Sequence, residues 1–393
     1  MKKPLKITLI TVASLIGALV VGALGYVGYI YFSYYRIGDI DLNIDHKSSL
    51  DNLSTNTTYK VMTYNLGFGA YSQDFTFFMD SGYDDEGNPT IGYYSKAKSK
   101  EEVEFNINGA IETTKSLNPD FVLLQEVDVS STRSFYLNQH QMIVDNYEQY
   151  DNVFANNFHT AYLPYPLYDM HGAVEAGLTT LSKYKIDQAE RKQYTVSSSL
   201  SKFFDLDRCF SVSKIKVNED KNLYLVNSHM SAYDEGGVIR EKQMEELNQF
   251  LSSCKENNDY VIVGGDFNHD LLTNNPDFNY DANNRPFSMT KKTPDWVSYF
   301  FNNEKKSPLI DGYKVFASDN EPTCRNNDIE WEENNTFVCV VDGFIVSNNI
   351  NVIKTENIAT NNGNKGLNGF AYSDHQPVYL EFQLEGTTYS IQR

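Results

Sequence analysis

The sequence has few of the residues that build cross-linked or zinc-bound domains. Its four cysteines form no Cys-x-x-Cys pair and no Cys/His spacing of the kind that holds zinc, which excludes a zinc-ribbon or zinc-finger domain. A chain of 393 residues with 41% hydrophobic residues is large enough to need no disulfide. Among the alternative cysteine pairings, Cys324 with Cys339 is the bridge we expect if one forms.

Basic residues are scarce. The chain has 33 Lys and Arg against 52 Asp and Glu, a net charge of −19. Four of the basic residues and none of the acidic ones lie in residues 1–36, so the remainder carries a net charge of −23. The negative electrostatic potential of such a surface repels polyanions and disfavours a nucleic-acid partner. It does not exclude a local basic groove. An acidic surface selected for solubility would look the same.

Long hydrophobic runs are absent except for one near the N-terminus. Residues 7–32 carry no charge, and a helix that rises about 1.5 Å per residue over this run could cross a bilayer core about 30 Å thick. The lysine-rich residues 1–6 would stay in the cytoplasm by the positive-inside rule, which predicts a single-pass cell-membrane anchor with the rest outside the cytoplasm. A signal peptide cleaved near residues 23–25 is the alternative, but the apolar run continues to Phe32, which favours an anchor.

The remainder is organised as one large domain. We expect a polar linker over residues 33–57, the domain itself over 58–386 and a short tail over 387–393. Two segments rich in Asp, Asn, Gly and aromatic residues, 72–100 and 271–322, are predicted to be loop insertions.

A strand–helix–strand pattern occurs twice in this domain. In the first copy the strands end at Asn65 and near Glu126, and in the second they end at His229 and Asp266. The duplication predicts two sheets related by a pseudo-two-fold axis, with polar groups converging at one edge. The connecting helices are predicted over residues 101–117 and 238–254.

The segment VIVGGDFNHD, residues 261–270, shows the pattern most sharply. A β-branched run is followed by Gly264 and Gly265 and then by Asp266 and Asn268, whose spacing places both side chains on one side of an extended backbone. Two oxygen-bearing side chains at the end of a buried strand suit a hard cation or a phosphate. An ordinary turn, in which Asp and Asn are common, explains this segment equally well when it is taken alone.

Polar residues of metal-binding and proton-transfer types end or flank most of the predicted strands. Two of the seven histidines are among them, which is an unusual selection for a sheet edge formed by chance. The set is Asn65, Glu126, His229, Asp266, Asn268, Asp342, Asp374 and His375.

With these residues in order, the chain resembles the endonuclease/exonuclease/phosphatase superfamily, the group of pancreatic deoxyribonuclease, base-excision endonucleases, bacterial sphingomyelinases and inositol phosphatases. The matching pieces span about residues 59–384 and are TYN, LLQE, NSH, GGDFN, VDGFIVS and SDH. The resemblance implies an α/β fold, a four-layer α/β/β/α sandwich of two mixed sheets with outer helices. It also implies a metal-dependent hydrolase of phosphoric esters.

The resemblance further implies a metal site. Glu126 would be the principal ligand of Mg²⁺, helped by Asn65 and Asp374, with water completing the octahedron. Mn²⁺ would substitute for Mg²⁺.

Catalytic roles follow from the same resemblance. Asp342 would orient His375, and this dyad would accept a proton from the attacking water or hold the phosphate as a cation. Asp266 and Asn268 would hold the nucleophilic water and a phosphate oxygen. His229 would contact the phosphate and could protonate the leaving oxygen.

Other polar residues have weaker claims to the site. We expect His171 to be a loop residue and His269 to point away from Asp266 and Asn268 along the strand. Arg133 and Arg208 are expected to pair with surface acids rather than with a substrate phosphate. Tyr162 could line a pocket, but tyrosine is common throughout the chain.

Three substrate hypotheses remain open at this point: a lipid or small-molecule phosphodiester, a nucleic acid, or no substrate in a non-catalytic binding module. The predicted tether and the acidity favour the first, and the intact polar set disfavours the third. Asp128 stands two residues after Glu126, where the nucleases of the family carry arginine, which weakens the nuclease hypothesis. Several aromatic residues could touch a bilayer or simply pack inside the domain: Phe75, Phe77, Phe78, Tyr93 and Tyr94.

Overall fold

The computed structural model describes residues 3–84, 86–203, 205–217, 221–232, 238–287, 292–301 and 309–386. The predicted tail over 387–393 and the first two residues of the predicted cytoplasmic segment lie outside the described residues. The helices are α1 (Lys3–Ser33), α2 (Lys100–Ser116), α3 (Gln139–Val144) and α4 (Val238–Glu256). The strands are β1 (Ile40–Asp41), β2 (Ile44–Asp45), β3 (Thr58–Asn65), β4 (Ser81–Tyr83), β5 (Pro89–Ile91), β6 (Phe121–Asp128), β7 (Asp151–Leu163), β8 (Gly172–Ser182), β9 (Ile186–Gln193), β10 (Cys209–Val217), β11 (Lys221–His229), β12 (Tyr260–Asp266), β13 (Tyr313–Phe316), β14 (Cys324–Arg325), β15 (Val338–Cys339), β16 (Asp342–Ser347), β17 (Ile350–Asn357) and β18 (Val378–Leu384).

Two mixed sheets of seven strands each form the centre of the domain. One has the order β17-β18-β3-β6-β8-β7-β2 and the other β1-β9-β10-β11-β12-β16-β13. Each sheet contains one parallel pair, β3 with β6 and β11 with β12, and the other pairs of these two sheets are antiparallel. Helices α2 and α4 connect the parallel pairs. The predicted duplication is therefore confirmed, because each copy is a strand–helix–strand unit ending at the same kind of edge.

Strand periodicity explains the layering. In β12, Ile262 packs in the core between the two sheets, whereas Val261 and Val263 pack against Leu247 and Leu251 of α4. Alternate side chains of a strand face opposite sides, so a continuous apolar run fills both the inner and the outer core. Helix α2 covers the outer face of the other sheet in the same way. The result is the predicted α/β/β/α sandwich.

The first residues after α1 do not form the linker that the sequence predicted over 33–57. Strand β1 pairs with β9, and strand β2 pairs with β7, so this segment adds an edge strand to each sheet. Leu53 is fully buried in the core between the sheets. These two strands could not be predicted from the polar sequence, because each is only two residues long and lies at an exposed edge of its sheet.

The apolar segment 338–347 forms two strands, β15 and β16, rather than one. Strand β15 pairs with β14 in a separate ribbon, and β16 joins the main sheet. Cys324 and Cys339 face each other across that ribbon, yet all four cysteines are free thiols, so the expected bridge is absent.

A polar layer joins the two sheets just beneath their polar edge. The Gln125 amide donates to the side-chain oxygen of Asn227 over 2.7 Å. The Asn227 amide donates in turn to the carbonyls of Leu124 and Thr179, both at 3.1 Å. Buried side-chain amides held on both sides fix the relative position of the sheets at this end.

Candidate active site

The carboxyl ends of the two parallel strand pairs meet where the sheets face each other. Asn65 Nδ2 lies 3.0 Å from Asp266 Oδ2, which links β3 of one sheet to β12 of the other. His229 Nε2 lies 3.4 Å from the same Asp266 oxygen and 4.0 Å from Glu126 Oε1. The strand ends of the two copies therefore build one site, as the sequence pattern predicted.

The backbone is shaped specifically at this edge. Glu126 has φ +52°, in the left-handed region that a β-carbon disfavours, and it sits where the register of β6 against β8 shifts. Asn268 has φ +50°, which Asn tolerates better. A β-carbon on Gly265 would lie 1.9 Å from the Ser228 carbonyl, so only glycine lets β12 lie this close to β11 beside His229.

Asp342 and His375 form a buried dyad. Asp342 Oδ2 lies 2.8 Å from His375 Nδ1, and His375 Nε2 lies 3.8 Å from Asp266 Oδ2. The Thr323 hydroxyl accepts the backbone N–H of Asp342, and the Ser373 hydroxyl accepts that of His375. The ring is thus fixed with one nitrogen on Asp342 and the other directed at Asp266.

The pKa values of His375 and His229 are shifted in opposite directions. Burial opposes a charge on His375, but the Asp342 and Asp266 carboxylates outweigh it and raise its pKa well above the ordinary value. Burial and the nearby Arg208 guanidinium hold the pKa of His229 well below the ordinary value. Burial raises the pKa of Asp266 to about 6, with His375 opposing the rise. Groups whose pKa values are pushed apart in this way are suited to different tasks.

Asn268 contacts the Asp266 carboxylate through its backbone N–H, while its side chain bonds elsewhere. The Asn268 backbone N–H donates to Asp266 Oδ1 over 2.8 Å, and its side-chain amide donates to the Met230 carbonyl over 2.8 Å. Asn268, Asp266, Glu126, His229 and His375 line one cavity. Asp374 lines the same cavity, and its Oδ2 accepts from the Asn327 amide over 2.9 Å.

The cavity has a volume of about 570 Å³ and a largely apolar wall. Residues of segment 72–100 and Trp296 of segment 271–322 contribute to it. These segments are not loops throughout, because the first contains β4 and β5 and the second contains β13 of a main sheet. Phe75 and Tyr94 stack on each other inside the domain, whereas Phe77 and Phe78 line the cavity. The other apolar lining residues include Phe68, Tyr71, Met79, Phe158, Leu163, Tyr165 and Leu206.

Three buried arginines line the cavity, contrary to the expectation that Arg133 and Arg208 pair with surface acids. Arg133 forms a bidentate pair with Asp128, at 3.1 and 2.8 Å, and its guanidinium lies 3.8 Å from the Phe68 ring centre. Asp128 therefore holds an arginine beside Glu126.

The other two arginines have unused donors. Arg208 donates to the Met230 carbonyl, and its buried Nε has no partner among the described residues. Arg325 donates to the Ser72 carbonyl, and its buried Nε and one terminal nitrogen have no partner in the part of the chain that the structure describes. Sequence reasoning missed Arg325, which lies in a two-residue strand that carries no pattern.

His171 lies in the loop between β7 and β8, as the sequence suggested, but it is not an ordinary surface loop residue. It is buried, lines the cavity and bonds through Nδ1 to the Ser95 carbonyl over 2.7 Å. Burial and Arg133 lower its pKa to about 4. His269 bonds to the Phe267 carbonyl and lies outside the cavity lining, and Tyr162 is partly exposed and also lies outside it.

A family model described as the Endonuclease/Exonuclease/phosphatase family matches residues 103–375. The chain belongs to this family. It is accordingly a hydrolase of phosphoric esters, and the endonuclease/exonuclease/phosphatase fold is the two-sheet sandwich described above.

Relatives of known structure or activity lie within the same family. Sphingomyelinase C of Bacillus cereus is 29% identical over 115 residues, which cover 27% of this chain and 34% of that protein. The chain thus matches about a third of the length of this relative. Truncated TDP2 of Caenorhabditis elegans has a TM-score of 0.51 at 14% identity, covering 84% of this chain and 99% of that one. ANGEL2, described as a 2',3'-cyclic phosphatase, has a TM-score of 0.50 at 13% identity, covering 88% and 99%.

Members of the endonuclease/exonuclease/phosphatase family depend on a divalent metal, and the donor set here fits one. Glu126 and Asp374 both line the cavity. Burial raises the pKa of Glu126, Arg133 opposes the rise, and the Asp374 carboxylate adds to it. Hard carboxylate oxygens that repel one another suit a divalent cation. Among the described residues, Asp266, Asp342 and His375 bring ligand-type atoms within 4.8 Å of one another, but the Asp342–His375 bond already occupies two of these residues.

The Asn65 amide has hydrogen-bond partners on both its oxygen and its nitrogen. Its side-chain oxygen accepts the Gly67 N–H over 3.0 Å, and its nitrogen donates to Asp266 and, at 3.4 Å, to Glu126. An amide in this orientation holds the two carboxylates and directs no oxygen between them.

Proposed function

We propose that the chain is a membrane-anchored phosphodiesterase that uses Mg²⁺ to hydrolyse the headgroup ester of a lipid, or a related small phosphodiester, outside the cytoplasm. Helix α1, Lys3–Ser33, is long and apolar enough to cross a membrane, which supports the anchor. The observation that carries the substrate class is the cavity, in which an aromatic wall adjoins two buried arginines with unused donors. An apolar group and a phosphate of one molecule would be bound together there.

Glu126 and Asp374 would hold the metal, with Asn65 fixing the Glu126 carboxylate. When bound, Mg²⁺ neutralises charge on the phosphate oxygens and so lowers the barrier to attack by water. Arg208 and Arg325 would donate to the remaining phosphate oxygens, since both arginines line the cavity.

The attacking water would lie between His375 Nε2 and Asp266 Oδ2. These atoms are 3.8 Å apart, too far for a direct hydrogen bond and close enough for one water to contact both. Its oxygen forms the new bond to phosphorus, its proton passes to the Asp266–His375 pair, and the bond from phosphorus to the leaving oxygen breaks. Asp342 keeps the ring in place throughout.

His229 would donate an N–H to the phosphate as a neutral ring. Its lowered pKa supports this role over the alternative of a proton source for the leaving oxygen. The leaving oxygen then takes its proton from water in the cavity, which is open to solvent.

The experiment that tests the proposal offers the full chain, purified in detergent, to sphingomyelin or phosphatidylcholine vesicles, to plasmid DNA and to RNA, each with Mg²⁺ and with EDTA. His375→Ala is the catalytic control. Metal-dependent headgroup release with intact nucleic acid supports the proposal. Nicked DNA or degraded RNA with untouched vesicles would instead identify a tethered nuclease. If none of these substrates is hydrolysed in a metal-dependent way, the hypothesis of a non-catalytic binding module is favoured.

A further inference from the structure

An exposed apolar loop lies at the mouth of the cavity. We call residues 162–170, with the sequence YLPYPLYDM, the rim loop. Leu167 is 78% exposed, and Tyr165 and Tyr168 are each 60% exposed. Large apolar side chains exposed together, in a chain whose net charge is −19, mark a contact surface rather than ordinary solvated loop.

The one charge of the rim loop is turned inward. The Asp169 carboxylate accepts the backbone N–H of Ser95 over 2.9 Å and pairs with Lys96 Nζ at 3.2 Å. The face that the loop presents outward is therefore apolar and aromatic. Such a face would not be repelled by anionic lipid headgroups, as most of this acidic surface would be.

Neighbouring residues extend this face up to the cavity. Tyr93 stacks on Tyr168 with ring centres 4.8 Å apart, and the Tyr168 hydroxyl donates to the Tyr93 carbonyl over 3.0 Å. Tyr165 contacts Phe78, and both line the cavity together with Met79, which is itself exposed. We call the rim loop with Met79 and Tyr93 the rim surface.

Helix α1 is seated directly beside this surface. The Tyr26 hydroxyl donates to the Tyr162 carbonyl over 3.0 Å, and the Tyr162 N–H donates to the Tyr29 hydroxyl over 3.1 Å. Just beyond the helix, Arg36 pairs with Asp207, which fixes the chain to the domain a second time. The start of the rim loop is thus attached to α1 about two turns before the helix ends.

The length of the helix places that attachment at the membrane surface. Counted from Ile7, where the uncharged run begins, about 20 residues rise about 30 Å at about 1.5 Å per residue, which is enough for a bilayer core about 30 Å thick. Tyr26 and Tyr29 then fall at the outer interface, the position that tyrosine prefers. Tyr162, bonded to both, lies at the same level, and the rim loop continues from it.

From this arrangement, and resting on the anchor of the proposed function, we infer that the rim surface contacts the outer leaflet of the bilayer that α1 spans. The partner is the lipid surface of the chain's own membrane. The cavity mouth then opens onto that leaflet, so the substrate is a lipid of the same membrane that enters without crossing bulk water.

The test uses the full chain reconstituted in vesicles of phosphatidylcholine and phosphatidylglycerol that contain lipid with brominated acyl chains. Leu167→Trp places a reporter on the rim surface, and Ile353→Trp places one at an exposed apolar position of β17, away from it. With the wild-type emission subtracted, we expect brominated lipid to quench most of the Leu167→Trp signal and little of the Ile353→Trp signal. Equal quenching of the two reporters would overturn the inference. A blue-shifted Leu167→Trp signal without bromide quenching would overturn it as well, because the surface would then face another protein copy.

A second variant pair links contact to turnover. Leu167→Ser with Tyr168→Ser should reduce hydrolysis of vesicle phospholipid about tenfold, because apolar anchoring is lost, and leave hydrolysis of soluble bis(p-nitrophenyl) phosphate unchanged. Ile353→Ser is the matched control. Equal effects on both substrates would contradict the inference. Flotation of the chain with vesicles tests the membrane anchor separately. Bromide quenching of Leu167→Trp without any lipid hydrolysis would support the contact between the rim surface and the bilayer but overturn the proposed lipid substrate.

Discussion

Asn65 and Asp266 join the two sheets at the catalytic edge through a hydrogen bond of 3.0 Å. The same Asn65 amide reaches Glu126, and its oxygen is held by the Gly67 N–H. One neutral side chain therefore sets the spacing between the carboxylate proposed to hold the metal and the carboxylate proposed to hold the water.

Replacing this amide should impair catalysis more than folding. In Asn65→Ala, Asp266 and Glu126 lose their shared donor, and we expect kcat to fall up to about 100-fold because small misplacements of catalytic groups are costly. Steady-state kinetics and thermal unfolding measured side by side will show this. Asn351→Ala, on exposed β17, is the matched control. Unchanged kcat in Asn65→Ala would contradict the positioning role.

Glu126→Gln keeps the shape of the side chain and removes its charge. We expect turnover to fall by about three orders of magnitude, since a neutral amide cannot balance a divalent cation. EDTA should abolish wild-type activity, and Mg²⁺ or Mn²⁺ should restore it. Glu175→Gln, which changes an exposed carboxylate of β8, should be inert. Glu126→Gln activity near the wild-type level would remove Glu126 from the metal site.

Asp342 acts through His375, so their effects should not add. We expect Asp342→Asn and His375→Ala each to lower kcat at least about 100-fold, and the double variant to be no slower than His375→Ala. The bond of 2.8 Å between the two side chains is the reason. A double variant whose loss equals the product of the single losses would show that the two residues work independently.

Arg208 and Arg325 should contribute binding energy to the phosphate. Arg208→Gln and Arg325→Gln are each expected to raise KM about tenfold, equivalent to about 1.4 kcal/mol. Arg285→Gln is the control, because Arg285 pairs with Asp270 and does not line the cavity. KM values equal to that of the control would assign the two arginines a structural role only.

His140 makes folding sensitive to acid. Burial, with Lys47 adding to it, lowers its pKa from 6.5 to about 4 in the folded protein. As the pH falls from 6.5 towards 4, His140 therefore binds a proton in the unfolded chain but not in the folded one. This lowers the free energy of unfolding by up to about 3 kcal/mol. Unfolding measured between pH 7 and pH 4 should show a smaller loss of stability in His140→Gln than in the wild type. Parallel curves for the two proteins would contradict the assignment.

The meeting of polar strand ends at one edge was predictable because strand ends leave a local signal. A buried run such as Val261–Val263 followed by glycines and polar residues fixes where β12 stops and which side chains project there. Helices α2 and α4 were likewise visible from their apolar period, to within two residues at each end.

The residues that shape the cavity were not predictable in the same way. Arg208, Arg325 and His171 reach it from segments without a period, and their burial depends on contacts distant in sequence. Strand β7 was missed because polar residues such as Asn157 interrupt its alternation. The orientation of the Asn65 amide depends on Gly67 and Asp266 together, which no local pattern contains.

The left-handed backbone of Glu126 has an evolutionary consequence. A side chain in this conformation costs about 1 to 2 kcal/mol relative to glycine, and burial of its carboxylate adds to that cost. The position thus opposes folding while supplying the charge that the proposed metal site needs. The stability of the rest of the sandwich therefore has to offset the cost of a glutamate at position 126. Directed evolution for thermal stability alone would be expected to replace Glu126.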